Sequence, residues 1–490
     1  METVEKIKAN IGASLADWRE QEKKALLLLK IVGELRFDKS VELILFRRGI
    51  YDSRPSEVLN DHLYAKNYAH QPITIDISLA LAKGISRMNI APARIDIGKL
   101  AIEWLTSNTE YSNLDAFLFD KIGHFIGEDK KVLVPKDVVL YGFGRIGRLA
   151  ARELIENTGR GEQLRLKAIV IRPKMKDNRA EEMLKRASLL RKDTVHGKFR
   201  GTVDVDQETE DLIVNGNRIK MIFANSPTDI DYTKYGIQDA LLIDNTGAWR
   251  DKEGLSQHLR PGIKHVLFTA PGKGIKNIVH GVNHKTLDFN EDIVFCAASC
   301  TTNAIAPVIK VVNDNFGIEN GHIESIHAYT STQNLLDNFH KKSRRGRAAA
   351  ENMVITETGA AKAIGKVIPE LDGTLTGSAI RIPLPNVSLA ILNLNLQKET
   401  SVNQINEVLE QASLYGDLVV QIKYSNSMDF VSSDAVGATH TSVFDAPSTK
   451  VSPNGKNATL YVWYDNEYGY TCQVLRLAKY VAQVRRLRYY

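Results

Sequence analysis

The hexapeptide Gly142-Phe143-Gly144-Arg145-Ile146-Gly147 constrains this chain more than any other stretch. An apolar run, Val138-Val139-Leu140-Tyr141, leads straight into it, and a helical pattern from Arg148 to Ile155 follows. Strand, glycine turn and helix in that order predict a dinucleotide-binding turn. Gly142 permits the tight turn, Gly144 lets the backbone approach a pyrophosphate, and Gly147 lets helix pack on strand. The helix N-terminus then offers unpaired N–H groups to the phosphates. A tight strand–helix turn without a ligand is the plainer alternative.

The next predicted strand, Leu166 to Ile171, ends at Arg172-Pro173-Lys174, with Lys176 close behind. An acidic residue at that strand end would accept the ribose hydroxyls of the adenosine. Arg172 instead favours a ribose 2′-phosphate through charge-assisted hydrogen bonds, so NADP is expected alone or alongside NAD. A solvent-facing arginine in an NAD-using protein is the other reading. Leu241 to Asp244, ending in Asn245-Thr246-Gly247, and His265 to Thr269 extend the same sheet. Thr246 and Thr269 thereby fall on the rim where ligands bind in such sheets.

A second focus is Ala298-Ser299-Cys300-Thr301-Thr302-Asn303-Ala304. It follows the apolar run Asp292 to Phe295, predicted as a buried strand, and opens a helical pattern, Asn303 to Asn315, that stops at Gly317. A cysteine at this handover meets free N–H groups and the positive end of a helix dipole, which favour thiolate over thiol. A small buried thiol beside an N-capping serine is the bland alternative. The sulfur needs a base, and among twelve histidines His327 is the best candidate, closing the strand that begins at Ile323. A neutral imidazole there can take the thiol proton and later act on the substrate oxygen. Thr356 to Lys362 and Arg381 look built for anions, although a threonine-capped helix start and a solvent-facing strand arginine would read the same way.

The 490 residues leave room for about two or three domains. A net charge of +6 suits small anionic substrates and is too weak to imply nucleic acid. Cys296, Cys300 and Cys472 make an odd count with no metal-ligand spacing, which points to a reducing compartment and no metal site. Glu2 to Lys6 lacks a signal-peptide core, and Ala25 to Leu29 is too short to span a bilayer. A cytoplasmic protein without a membrane segment is expected.

Residues 1–131 read as an all-helical N-terminal extension. Leu28, Val32 and Leu35 fall at helical spacings, as do Val41, Ile44 and Leu45. Ser56 looks like an N-cap, Ser112 with Asp115 looks like a capping box, and Gly33, Pro55, Pro72 and Pro92 punctuate the run. The charged turn Gly127 to Lys131 marks the boundary. Val132-Leu133-Val134 is strand-like. Residues 132–299 would then form an α/β Rossmann dinucleotide-binding domain, completed by a C-terminal helix at 466–490. The β-rich runs Ile323 to Thr330, Ser388 to Leu396 and Leu418 to Ile422 predict an α+β catalytic domain over 300–465 with a mostly antiparallel sheet.

From Val132 onward the sequence resembles phosphorylating glyceraldehyde-3-phosphate dehydrogenase. The likeness is carried in order by Gly142 to Arg148, Thr194 to Phe199, Ala298 to Ala306, His327-Ala328, Gly359 to Leu371, Val431 to Asp434 and Trp463 to Gly469. It implies Cys300 as nucleophile and His327 as the group that activates it. Thr330, Thr332 and Arg381 match residues that hold the substrate's C3 phosphate, and Ser299, Thr301, Thr358 and Gly359 match the site of the attacking inorganic phosphate. Arg145 and Ile146 match residues at the cofactor pyrophosphate, and Thr269 falls near the nicotinamide ribose. Asn466 would bond the nicotinamide carboxamide, and Tyr470 would pack on its ring. The basic run Lys341 to Arg347 matches a loop that lines a neighbouring subunit's cofactor site in the family's homotetramer.

Arg172 in place of an acidic residue, Asn334 where lysine is frequent and Ala304 where a second cysteine is usual are departures. Residues 1–131 resemble the extension of a longer bacterial form, and the likeness assigns them no role. The activity implied is oxidation of glyceraldehyde 3-phosphate with inorganic phosphate and NAD or NADP, within glycolysis or gluconeogenesis. Rival readings are erythrose-4-phosphate oxidation with hydrolytic deacylation, or a binding or regulatory protein acting through the helical module.

Overall fold

A computed structural model describes the chain except for residues 1, 70–72, 128–129, 131–132 and 176–177; it also leaves the side chains of 2–11, 64 and 66–69 undescribed. Pro72, most of the boundary turn before Val132, Val132 itself and Lys176 therefore lie outside the described residues. The chain divides into two compact units, one of residues 1–134, 159–162 and 485–490, the other of 135–158 and 163–484. No described helix is long and apolar enough to cross a membrane.

In the first unit, helices Glu2–Lys39, Pro55–Ala69, Ile75–Arg87, Ile97–Ser107 and Leu114–Ile122 share a core that includes Leu28, Leu35, Leu79, Leu100 and Phe117. The unit is not all-helical. A four-stranded sheet runs through it in the order Arg48–Gly49, Glu42–Leu45, Ala93–Asp96, Leu487–Tyr489. Ile44 and Leu45 belong to its second strand and Val41 precedes it, so their helix-like spacing was coincidental; a short apolar run carries too little period to decide. The outer strand comes from the far end of the chain, where the last helix stops at Val481 rather than continuing. Asp96, fully buried, organises the turn between strand and helix. Its carboxylate accepts from the N–H groups of Phe46, Arg47, Gly98 and Lys99 and pairs with the Arg47 guanidinium at 3.0 Å. Two expected caps moved: Pro55, not Ser56, opens its helix, and Asn113, not Ser112, accepts from Ala116 N–H at 2.9 Å.

The second unit holds two eight-stranded sheets. In the first, parallel strands run Val294–Cys296, Ile263–Phe268, Ala240–Asp244, Lys136–Tyr141, Leu164–Ile171 and Asn217–Phe223, followed by two antiparallel strands, Asp211–Val214 and Val203–Asp206. Strand Lys136–Tyr141 is the first of this sheet along the chain yet lies mid-sheet, so the order reverses there and the glycine turn opens at that switch point. Leu133 and Val134 stay outside it.

The second sheet runs Val354–Thr356, Leu375–Ile382, Ile318–Ala328, Ser388–Leu396, Asn457–Tyr464, Ser442–Asp445, Ile422–Ser425, with Lys450–Val451 added beside Asn457–Tyr464. It is antiparallel apart from two pairs, Ile318–Ala328 with Leu375–Ile382 and Ile422–Ser425 with Ser442–Asp445. Of the predicted strand Leu418 to Ile422, only Ile422 is in a strand. Helix Cys300–Phe316 packs on this sheet through Ile305, Val308, Ile309 and Val312. Cys300 touches the apolar cores of both sheets and lies where they adjoin.

Candidate active site

The strand Val294–Cys296 reaches the helix Cys300–Phe316 through a turn in which Ala298 takes φ +54°, a strained value for a residue with a Cβ. Three bonds hold the turn. Ser299 Oγ accepts from Thr302 N–H at 3.0 Å, and Asn303 Nδ2 donates to the carbonyls of Ala297 and Ser299 at 2.7 and 2.9 Å. Cys300 is thereby fixed as the first helical residue, with its sulfur at the end where N–H groups lack intrahelical partners.

His327 comes to this sulfur from the strand Ile318–Ala328, Nε2 lying 3.6 Å from Sγ. On the other ring edge, Nδ1 is 2.8 Å from the Ala328 carbonyl and 2.7 Å from Arg381 Nη1, which also donates to that carbonyl at 2.8 Å. With Nδ1–H donated to Ala328, Nε2 is free to accept the thiol proton. With Nδ1 accepting from Arg381, Nε2 carries the proton and faces the sulfur. Both forms are neutral, and burial with the Arg381 charge lowers the His327 pKa to about 3. Burial likewise pushes the Cys300 thiol up, against the downward pull of Thr301, Arg381 and the N–H groups of Thr301 and Cys300. Burial thus works against the expected thiolate, while Thr301, Arg381 and the N–H groups at the helix start work for it.

The threonine hydroxyls expected to hold phosphate each have a partner. Thr330 and Thr332 share a 2.9 Å hydrogen bond, and Thr301 Oγ1 lies 3.1 Å from the Tyr464 hydroxyl. Thr358 accepts from Ala360 N–H at 3.2 Å, ahead of the helix Ala360–Val367 whose N-cap is Gly359.

At the glycine turn, Gly142 has φ +96°, and a Cβ there would come 2.8 Å from Thr246 Cγ2. A Cβ on Gly147 would come 2.3 Å from the Gly142 carbonyl oxygen, so helix and strand meet only because it is absent. Gly144 faces open space, and as N-cap of the helix Arg145–Glu156 it leaves the first-turn N–H groups without a side-chain partner. These are the features a pyrophosphate requires.

Residues 136–252 match the NAD binding domain of glyceraldehyde 3-phosphate dehydrogenase, and residues 299–466 match its C-terminal domain. The chain is 48% identical over 462 residues to a glyceraldehyde-3-phosphate dehydrogenase-like protein of Pseudomonas aeruginosa, covering 93% of this chain and 98% of that one. It is 39% identical over 351 residues to glyceraldehyde-3-phosphate dehydrogenase of Neurospora crassa, covering 71% and 97%. With glyceraldehyde-3-phosphate dehydrogenase 2 of Trichormus variabilis it shares 41% over 347 residues, covering 71% and 98%. This chain belongs to the glyceraldehyde-3-phosphate dehydrogenase family. It is an NAD-dependent oxidoreductase. The Pseudomonas relative extends into the N-terminal unit, since its alignment covers 93% of this chain.

Within this glyceraldehyde-3-phosphate dehydrogenase framework, the remaining cofactor candidates divide by what they already bind. Arg145 is committed: its guanidinium pairs with Glu467 at 2.6 Å and with Asp193, and lies 3.1 Å from His196 Nδ1. Its main-chain N–H, in the first turn of the helix, remains for a phosphate. Ile146 packs into the core that Cys300 also touches. Thr246 donates to Asp244 Oδ1 at 2.7 Å, and Thr269 Oγ1 donates to the Asp244 carbonyl at 3.0 Å. Arg172 is exposed at the carboxyl end of its strand, and no described carboxylate pairs with it. Asn466 is buried, its Oδ1 accepting from Ser388 Oγ at 2.9 Å, while Ser388 Oγ accepts from Ala328 N–H at 3.1 Å. Tyr470, also buried, donates to the Ala298 carbonyl at 2.9 Å.

Sequence reasoning missed Tyr464. Its hydroxyl bridges Thr301 Oγ1 and Ser325 Oγ, its ring lies edge-on to His327, and burial pushes its pKa up to about 12. Alternation along Asn457–Tyr464 puts positions 458, 460, 462 and 464 inward, which was the available signal. The ion cluster around Arg145 had no such signal, because Asp193, His196, Asp465 and Glu467 meet only through the fold.

Proposed function

We propose that the chain oxidises glyceraldehyde 3-phosphate with inorganic phosphate to 1,3-bisphosphoglycerate through a thioester on Cys300, as the cytoplasmic homotetramer that the family resemblance implies. The 3.6 Å approach of Cys300 Sγ to His327 Nε2 is the observation that carries this reading. The sulfur attacks the aldehyde carbon as its proton passes to Nε2 and from there to the former carbonyl oxygen, giving a hemithioacetal. His327, relieved of that proton, then takes the hemithioacetal hydroxyl proton as the carbon is oxidised. Bound NAD would supply the two-electron acceptor at that carbon. The Cys300 N–H at the helix terminus stabilises the oxygen as charge gathers on it. Inorganic phosphate then attacks the thioester and the sulfur leaves.

Mixing the protein with NAD and glyceraldehyde 3-phosphate, without phosphate, should give one equivalent of NADH per subunit and an acyl adduct on Cys300 by mass spectrometry. Cys300→Ser should give neither. An adduct elsewhere, or turnover in Cys300→Ser, would refute the mechanism. The free guanidinium of Arg172 supports use of NADP as well as NAD. Arg172→Asp should lower kcat/KM for NADP about tenfold or more and leave NAD nearly unchanged; unaltered NADP use would remove the argument.

A further inference from the structure

The sheet of the N-terminal unit has an edge shaped to receive a strand. Ala93–Asp96 pairs on one side with Glu42–Leu45, and its other side is covered by Leu487–Tyr489, running parallel to it. Leu487 stands opposite Ala93, Arg488 opposite Arg94 and Tyr489 opposite Ile95, and Leu487 N–H donates to the Pro92 carbonyl at 3.2 Å. Side chains then read the incoming residues. Leu487 and Tyr489, two apart and so on one face, pack on the core of the unit. The Tyr489 hydroxyl donates to Glu103, and its ring centroid lies 4.6 Å from Lys99 Nζ. Lys99 and Glu103 are one turn apart on the helix Ile97–Ser107, and Lys99 Nζ also donates to the main-chain oxygen of Tyr490. Arg94 Nη1 donates to the Tyr490 hydroxyl at 3.0 Å, while Glu42 lies 3.3 Å from Arg486 and 3.4 Å from Arg94. Main-chain pairing supplies affinity in such an arrangement, and side-chain contacts supply the choice of sequence.

The occupant reaches this edge from far along the chain. Gln163–Val484, which lead up to the tail, belong to the other unit, whereas Arg485–Tyr490 belong to this one. The connection between the helix end at Val481 and the strand start at Leu487 is short, and Gln483 within it takes φ +57°, a strained value for a residue with a Cβ. Edge and tail both lie outside the two stretches that match the family's domains. They are complementary pieces of one sequence, so every copy of the chain carries both. Exchanging tails between two copies remakes each contact identically. The exchange costs only the freedom lost on association, and a short strained connection favours it.

We propose that the edge of Ala93–Asp96, with Arg94, Lys99 and Glu103, is a binding site for an extended segment of the pattern Leu-Arg-Tyr-Tyr, and that it takes this segment from a second copy of the chain as well as from its own. Two N-terminal units joined in this way each complete their sheet with the other's tail.

Cross-linking tests the exchange in full-length protein. Arg94→Cys and Arg488→Cys, each combined with Cys300→Ser because Cys296 and Cys472 are already buried, are mixed, warmed and treated with a short thiol-specific cross-linker. The mixture should give a covalent dimer that neither variant gives alone. A chain carrying both new cysteines should cross-link within itself at low protein concentration. No dimer from the mixture, although the double variant closes, overturns the exchange; a double variant that does not close overturns the site. A labelled peptide of residues 485–490 probes the edge separately. Tyr489→Ala, which weakens the chain's own tail, should bind it at least about tenfold more tightly than wild type, where the tethered segment competes, and adding Glu103→Ala should abolish that gain. Equal binding by wild type and Tyr489→Ala, or a gain that survives Glu103→Ala, overturns the site.

Discussion

Arg381 Nη1 lies 2.7 Å from His327 Nδ1, on the ring edge away from the Cys300 sulfur. The guanidinium that resemblance assigns to a phosphate thus also sets the charge felt by the imidazole, one of the causes holding its pKa near 3. An anion at Arg381 should cancel that field and raise the His327 pKa. Histidine-labelled NMR titration, with and without inorganic phosphate, would follow it. In Arg381→Gln the value should begin higher and respond less to phosphate; a His327 signal indifferent to both changes would separate the two residues electrostatically.

Stability should carry the mark of the same imidazole. His327 titrates near 3 when folded against an ordinary 6.5. Between those values the unfolded chain binds a proton that the folded one refuses, so stability falls as the solution is acidified from about pH 6.5 toward 3. The slope attributable to one such group is about 1.4 kcal/mol per pH unit. Denaturant unfolding of His327→Gln across this range should show a shallower acid loss than wild type, with the two curves parallel above pH 7.

Tyr464→Phe removes one hydroxyl and leaves two others, on Thr301 and Ser325, buried with one fewer partner. The expected cost is about 1–3 kcal/mol, seen as a lower Tm. Because Thr301 adjoins the sulfur, the rate of Cys300 alkylation should change as well. An unaltered Tm would mean that these hydroxyls re-pair within the core.

Arg145→Ala should destabilise by about 3 kcal/mol or more, since it strips the partner from Glu467 and the nearly buried Asp193. Asn466 sits between Asp465 and Glu467 in sequence, so loosening them should also raise the KM for NAD. Chemical denaturation beside NAD kinetics would test both; loss of stability with an unchanged KM would confine the cluster to a folding role.

What could be read from the residues was local. The glycine turn and the strand-to-helix handover at Cys300 announce themselves within a few positions, because φ requirements and caps act over one turn of chain. His327 and Arg381 were candidates from their place on strands, and the ordered set of motifs gave them roles. The sheet of the N-terminal unit was missed because a four-residue strand has no distinctive period, and its partner lies far along the chain. The helix terminus at Cys300 was read correctly as geometry; the opposing burial of the sulfur was not legible in the residues.

The strand Leu487–Tyr489 has a bearing on how the molecule is made. Tyr490 bonds Lys99 across 391 positions, and Tyr489 packs into the core of the unit that contains the first hundred residues. A growing polypeptide emerges from its start, so this unit waits with an open sheet edge while everything between is synthesised. Closing it forms a contact of extreme separation, which general folding physics makes slow and leaves exposed to wrong partners meanwhile. The strand Ala93–Asp96, made long before its partner Leu487–Tyr489, is by this arrangement among the latest to be finished.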